Sequence, residues 1–400
     1  MKNNIKAEII AHSKRAGTGE EIITYKLTFP RIILSEVNTY KMLEKNTSSS
    51  RAIPFEKMVE VVEKEPFIPI AWAKPHKGMQ GNDYYTDPVL VECKIKRWLE
   101  ARDAAVLASK NLDIDIISTK KSVFRDIRDV IEGDNYEIVS SEFINPVTKQ
   151  LKNRILEPFM WVTQLCTGTR ESFEHLFEQR CPLYEVDYST DNGLHFQNYQ
   201  GKSKKEIIKY FKENNIFFTG ENQNDLWWLQ HNKGQAEIHF MDLAEKMYDA
   251  LNESTPKELY SEEWHIPFRE EILKDKESKG IKDLGDLIKM SVCLTAKISY
   301  TKIGDENTIT IEKAREMYER LRNSGHWSCF GHIAKCMTNK EYGSWYKGFI
   351  RMEEYTDDFN ETKRFFDANN FLNAQGYNKN LKGFISLRQY VEDDVELKDI

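Results

Sequence analysis

The chain has 400 residues, 40% apolar and 30% charged, a globular balance that excludes wholesale disorder and allows either two or three ordinary domains or one core with large insertions. Its net charge of -7 is made of both signs scattered along the length, which argues against a dedicated nucleic-acid surface while leaving room for a local anion pocket. No run of about 18 apolar residues occurs and Met1-Lys2-Asn3-Asn4 does not open a signal peptide, so no membrane span and a cytoplasmic location are expected.

In chain order, residues 5–10 read as a strand, and Tyr25, Leu27 and Phe29 alternate with Lys26 and Thr28 as a half-buried strand closed by Pro30 does. Ile33, Val37 and Tyr40 recur at helical spacing, predicting a helix over 31–42, then a polar loop over 45–51. Pro54 is placed to open a helix over 55–64, and a longer one is expected over 89–111. Further helices are predicted from about 157 to 180, over 235–252 and over 310–324, the last stopped by Gly325. Phe384, Ile385, Ser386 and Leu387 suggest a strand returning to the sheet. The charged stretch 113–148 and the Asn-, Lys- and aromatic-rich stretch 182–232 read as insertions. The segments are therefore 1–112, 113–148, 149–181, 182–232, 233–352 and 353–400. Six cysteines lack any C-x-x-C pair, as reduced thiols of a cytoplasm would.

Lys41, Lys45, Ser48, Ser49, Ser50 and Arg51 gather hydroxyls and a guanidinium fork, chemistry suited to a phosphate, although a solvated turn or a helix cap fits the composition too. This run resembles the signature of flavin-dependent thymidylate synthases: Arg-His-Arg, seven residues, Ser, and Arg two further on. Ser49 and Arg51 match the last two, while the triplet is Thr39-Tyr40-Lys41. A second block, 149–180, resembles the family's Arg-x-x-x-Pro segment and the helix after it, with Arg154 and Arg180 matching its arginines. His175 stands where the family often has Asn, and Glu171 where it has Arg. Gln235-Ala236-Glu237-Ile238 is similar to a third stretch, with Lys233 in place of a His. Ala296-Lys297-Ile298-Ser299-Tyr300 resembles Ala-Arg-Val-Ser-Tyr. Gly325-His326-Trp327-Ser328-Cys329-Phe330-Gly331-His332 resembles Gly-His-x-Ser-Pro-Phe-Glu-His. The blocks cover 25–60, 149–180, 233–268 and 284–334, in the circularly rearranged order of long members from bacterial viruses.

The resemblance implies an α+β fold, a mixed sheet flanked by helices, assembled as a homotetramer with shared active sites. It implies transfer of a one-carbon unit from methylenetetrahydrofolate to C5 of dUMP, with FAD carrying hydride from NADPH. Ser49, Arg51, Arg154 and Arg180 would bind the pyrimidine deoxynucleotide, and Lys41, His175 and His332 the flavin. Arg180 is the candidate catalytic cation, since attack by C5 builds negative charge on the ring amide that a fixed guanidinium stabilises. A dUMP or dCMP hydroxymethylase and a non-catalytic nucleotide-binding homologue are the alternatives. Alternatively, the arginines form surface salt bridges. The spacing of His326, Cys329 and His332 suits zinc but has no evident fourth ligand, so no metal is expected.

Overall fold

The computed structural model describes residues 4–75, 77, 83–122, 136–188, 197–274, 276–300, 309–342 and 381–397. Strands β1 (Lys6–Arg15) and β2 (Glu21–Pro30) pair antiparallel. Their turn contains Gly17 and Gly19, both at positive φ. Alternation places Ile23, Tyr25, Leu27 and Phe29 of β2 in one buried layer.

The helix predicted over 31–42 is instead a 3-10 turn, Arg31–Ile33, and a four-residue α1, Leu34–Val37. Ile33, Val37 and Tyr40 do reach the core, but the Thr39 hydroxyl donates to the Glu36 carbonyl at 2.6 Å, a side-chain bond that competes with helix continuation. The expected loop over 45–51 begins as a strand, β3 (Glu44–Thr47). Helices α2 (Phe55–Lys64) and α3 (Pro88–Asn111) follow as predicted. The 113–148 stretch contains a hairpin of β4 (Ile114–Ser122) and β5 (Tyr136–Ile144), and then comes α4 (Lys149–Ile155).

The largest correction lies at 157–180, where one helix was expected. Residues 161–169 form strand β6 (Trp161–Thr169), and helix α5 (Arg170–Arg180) starts after it, with the Thr169 hydroxyl accepting from Ser172 N. The threonines and Val162 suit a pleated strand, and cross-strand partners on both sides decide the matter. The 182–232 stretch contains β7 (Tyr184–Tyr188), β8 (Gln197–Gly201), α6 (Lys204–Glu213) and α7 (Asp225–Gln230). These elements close on their own cluster of Tyr184, Val186, Ile207, Phe211, Phe218 and Trp228. Helix α8 (Ile238–Glu253) anchors this unit: Glu245 accepts from the Tyr184 hydroxyl at 3.0 Å and from Lys204 N at 2.8 Å.

Short strands β9 (Lys257–Leu259) and β10 (Trp264–His265) precede α9 (Leu284–Tyr300) and α10 (Ile311–Asn323). A 3-10 turn, Trp327–His332, leads to β11 (Ala334–Cys336), and β12 (Phe384–Ser386) and α11 (Leu387–Glu392) complete the described chain. The main sheet has the order β3-β6-β2-β1-β9, antiparallel except at β1–β9, and is therefore mixed. The 384–387 strand joins a separate three-stranded sheet, β10-β11-β12.

Helices α5 and α8 cover one face of the main sheet, through Phe173, Phe177, Phe240 and Leu243 against Tyr25 and Phe29. Helices α9 and α10 and the 327–332 turn cover the other, around Leu165, Ile288, Val292 and Phe330. Each such buried side chain contributes about 1.5–3 kcal/mol. The architecture is α+β, a mixed sheet flanked by helices. Among the described residues no helix is long and apolar enough to cross a membrane.

Candidate functional site

Strand β3 is short, but it ties together parts of the chain that lie far apart in sequence. Its register with β6 opposes Glu44 to Thr167 and Asn46 to Leu165, which turns Glu44 and Asn46 toward α9, while Lys45 and Thr47 turn toward α5. Buried Asn46 donates to the Thr295 carbonyl at 2.7 Å and accepts from the Ser299 hydroxyl at 2.7 Å and the Ser328 hydroxyl at 3.5 Å. One amide thus joins β3 to the end of α9 and to the 3-10 turn.

The loop beyond β3 is held on three sides. Ser48 N donates to the Thr163 carbonyl at 2.8 Å, and Ser49 N to the Ser299 carbonyl at 3.3 Å. The Ser50 hydroxyl donates to Glu157 Oε1 at 3.0 Å. Asn153 of α4, fully buried, donates to the carbonyls of Ser50 at 2.7 Å and Ile53 at 3.0 Å. Ser49 is half-buried, its hydroxyl accepting from Arg51 N at 3.3 Å, and the Arg51 side chain is exposed. Arg154, next to the clamping Asn153, is exposed too. The loop that carries Ser49 and Arg51 and the helix that carries Arg154 thus meet at one corner, through Asn153. Arg31 borders this corner but is engaged by Glu157 at 3.0 Å.

Arg180 lies elsewhere. At the end of α5 its Nε donates to the Tyr40 hydroxyl at 2.7 Å, and its guanidinium packs on the rings of Tyr40 and Phe240 at 5.5 and 5.4 Å. The Tyr40 hydroxyl in turn donates to Gln179 at 3.0 Å. Lys45 bonds the Tyr40 carbonyl on this same side, and burial lowers its pKa. Lys41 is exposed, as is His175 on the outer side of α5, where it accepts from Gln179 Nε2 at 3.0 Å.

His332 sits beneath the opposite face of the sheet, fully buried. Its Nδ1 meets the Thr167 hydroxyl at 2.8 Å, and its Nε2 has no partner among the described residues. Burial pushes its pKa down to about 3. Because the sheet separates His175 from His332, one chain does not bring the three flavin-side candidates to a single isoalloxazine. His326 pairs with the Ser324 hydroxyl at 3.0 Å, and among the described residues no cluster of three His, Cys, Asp or Glu is arranged to hold a metal.

Sequence reasoning missed Asn46, Asn153, Thr167 and His265, a fully buried side chain of β10. Hydropathy misleads at α4, where apolar Leu151 is 55% exposed and Asn153 is fully buried. Nothing local could have revealed the others, because their partners lie more than a hundred residues away along the chain.

No protein-family model and no curated protein matches the chain. Two crystal structures of a UMP/dUMP methylase, PolB from Streptomyces cacaoi, are similar in part. With 5-Br UMP bound, the identity is 10% over 49% of this chain and 82% of that one, at a TM-score of 0.29. With 5-Br dUMP bound, it is 9% over 54% and 90%, again at 0.29.

Proposed function

We propose that this protein binds a pyrimidine deoxynucleotide and modifies its ring at C5, as a relative of the flavin-dependent thymidylate synthases. The reaction is transfer of a one-carbon unit from methylenetetrahydrofolate to dUMP. The observation that carries this reading is the assembly around β3. The loop 48–51, the segment 153–167, the end of α9 and the 327–332 turn come from three of the four sequence blocks that resemble the family, and they meet through Asn46, Asn153 and Thr167.

In this reading the nucleotide phosphate lies at the corner of Ser49, Arg51 and Arg154. Arg51 supplies the paired donors, the Ser49 hydroxyl a further one, and Arg154 a second charge. Asn153 keeps the loop in shape without touching the ligand. Arg180, braced by Tyr40 and Phe240, is the cation for charge developing on the ring amide, and it belongs to a site completed by another copy of the chain. FAD, NADPH and the folate are the partners implied with this chemistry. A flavin site would likewise have to be completed across copies.

The separation of Lys41 and His175 from His332 favours a second reading, a nucleotide-binding homologue without the redox reaction. Incubation of the purified protein with dUMP or dCMP, methylenetetrahydrofolate, FAD and NADPH, followed by mass spectrometry, decides between them. A methyl gain on dUMP is expected, a hydroxymethyl gain on either nucleotide identifies a hydroxymethylase, and tight dUMP binding with no product from either nucleotide selects the homologue. Arg51→Glu should abolish dUMP binding with the protein still folded; unchanged affinity would refute the phosphate assignment.

A further inference from the structure

Between the main sheet and the layer over its α9 face runs a chain of five polar side chains. Ser13 Oγ meets His265 Nδ1 at 2.9 Å, and His265 Nε2 meets Thr24 Oγ1 at 2.8 Å. Thr24 Oγ1 meets Thr167 Oγ1 at 2.7 Å, across the paired strands β2 and β6, and Thr167 Oγ1 meets His332 Nδ1 at 2.8 Å. Thr24, Thr167, His265 and His332 are 0% exposed and Ser13 is 5% exposed, so water does not interrupt the run. The far end, His332 Nε2, is the buried atom without a partner among the described residues.

Burial holds both imidazoles near a pKa of about 3, so each carries one ring proton. Each hydroxyl also has one hydrogen. A hydroxyl accepting from both sides would leave its own hydrogen buried with no acceptor, at a cost of about 1–3 kcal/mol. The four links are therefore all satisfied only when they point the same way. Pointing from His332 toward Ser13, they leave a bare lone pair on His332 Nε2. Pointing the other way, they leave an N–H there.

We propose that this chain is a proton relay serving His332 Nε2, with Ser13 as its outer end. A proton taken up at His332 Nε2 releases the Nδ1 proton to Thr167, whose own passes to Thr24 and that of Thr24 to His265 Nε2. The His265 Nδ1 proton then passes to Ser13, whose hydroxyl proton leaves to water. Each of the five side chains loses one proton as it gains another, no electrons change hands, and the chain ends in its opposite orientation. The proton at His332 Nε2 is exchanged with an O–H or N–H acid of a bound molecule, so the relay stands apart from the nucleotide reading. Thr24, Thr167 and His265 are positioning residues: they set which His332 nitrogen bears the proton.

The test uses the full chain with histidine labelled by nitrogen-15 in the ring. His265 and His332 should carry their protons on the same nitrogen type, both Nδ1 or both Nε2. Thr24→Val should alter the His332 tautomer, which Thr24 does not touch, and slow exchange of its ring N–H with D2O by about tenfold, the worth of one hydrogen bond. Thr24→Ser should restore both. Opposite tautomers at the two rings, or a His332 signal and exchange rate indifferent to Thr24→Val, would overturn the relay. Should the valine variant fail to fold, the tautomer comparison in the unaltered protein still decides.

Discussion

Asn153 holds two main-chain carbonyls with one amide in a site closed to water, and that sets the consequence of losing it. Asn153→Leu keeps the volume but strands both acceptors, so the free energy of unfolding in urea should fall by about 1–3 kcal/mol, and dUMP should bind more weakly through the loosened loop. Arg154→Ala next door makes the contrast, with affinity lost and stability changed by no more than about 0.5 kcal/mol, because that side chain is exposed. Equal behaviour of the two variants would remove the clamp. The roles proposed for Ser49 and Arg51 come from the spacing of a motif. Asn46 and Asn153 carry no such signal, because a buried amide is recognised only by partners that the fold supplies.

Strands and helices were legible in proportion to how far their own side chains decided them. The 55–64 and 310–324 helices carry a clear apolar stripe and form over nearly those bounds. The 157–180 helix failed because Trp161 to Thr169 lies between β2 and β3, and pairing on both edges outweighs any local preference. The insertion at 182–232 is capped locally: Ser203 accepts from Glu206 N at 3.0 Å, and Glu206 accepts from Lys202 N at 2.8 Å, a variant of the capping box at the start of α6. Ser203→Ala should cost about 1 kcal/mol and confine the damage to this unit, which has its own apolar cluster. Hydrogen exchange should then quicken in 197–230 and not in β2 or β6; uniform quickening would show that the unit is not separable.

At the scale of the molecule, His265 and His332 make stability depend on pH. Unfolded, each imidazole titrates near 6.5, and burial holds both at about 3 in the fold, so between those values the unfolded chain binds more protons. Stability should therefore fall as pH drops, by roughly 2 kcal/mol for each ring between pH 7 and 5. His12, also lowered by burial, adds in the same direction, while Glu245, raised by burial, opposes it closer to pH 4.5. Urea midpoints that do not move over this range would mean that the two rings are not sealed as described.

The five-stranded sheet also stands as a wall between Arg180 and His332, with α5 on one side and the 3-10 turn on the other. If both side chains serve one reaction, they must be donated by different molecules of the protein. Arg180→Ala and His332→Ala, each inactive when prepared alone, should then yield a working enzyme when co-expressed, because a hybrid assembly contains intact junctions alongside doubly crippled ones. Activity that stays absent in the mixture would confine each reaction centre to a single polypeptide.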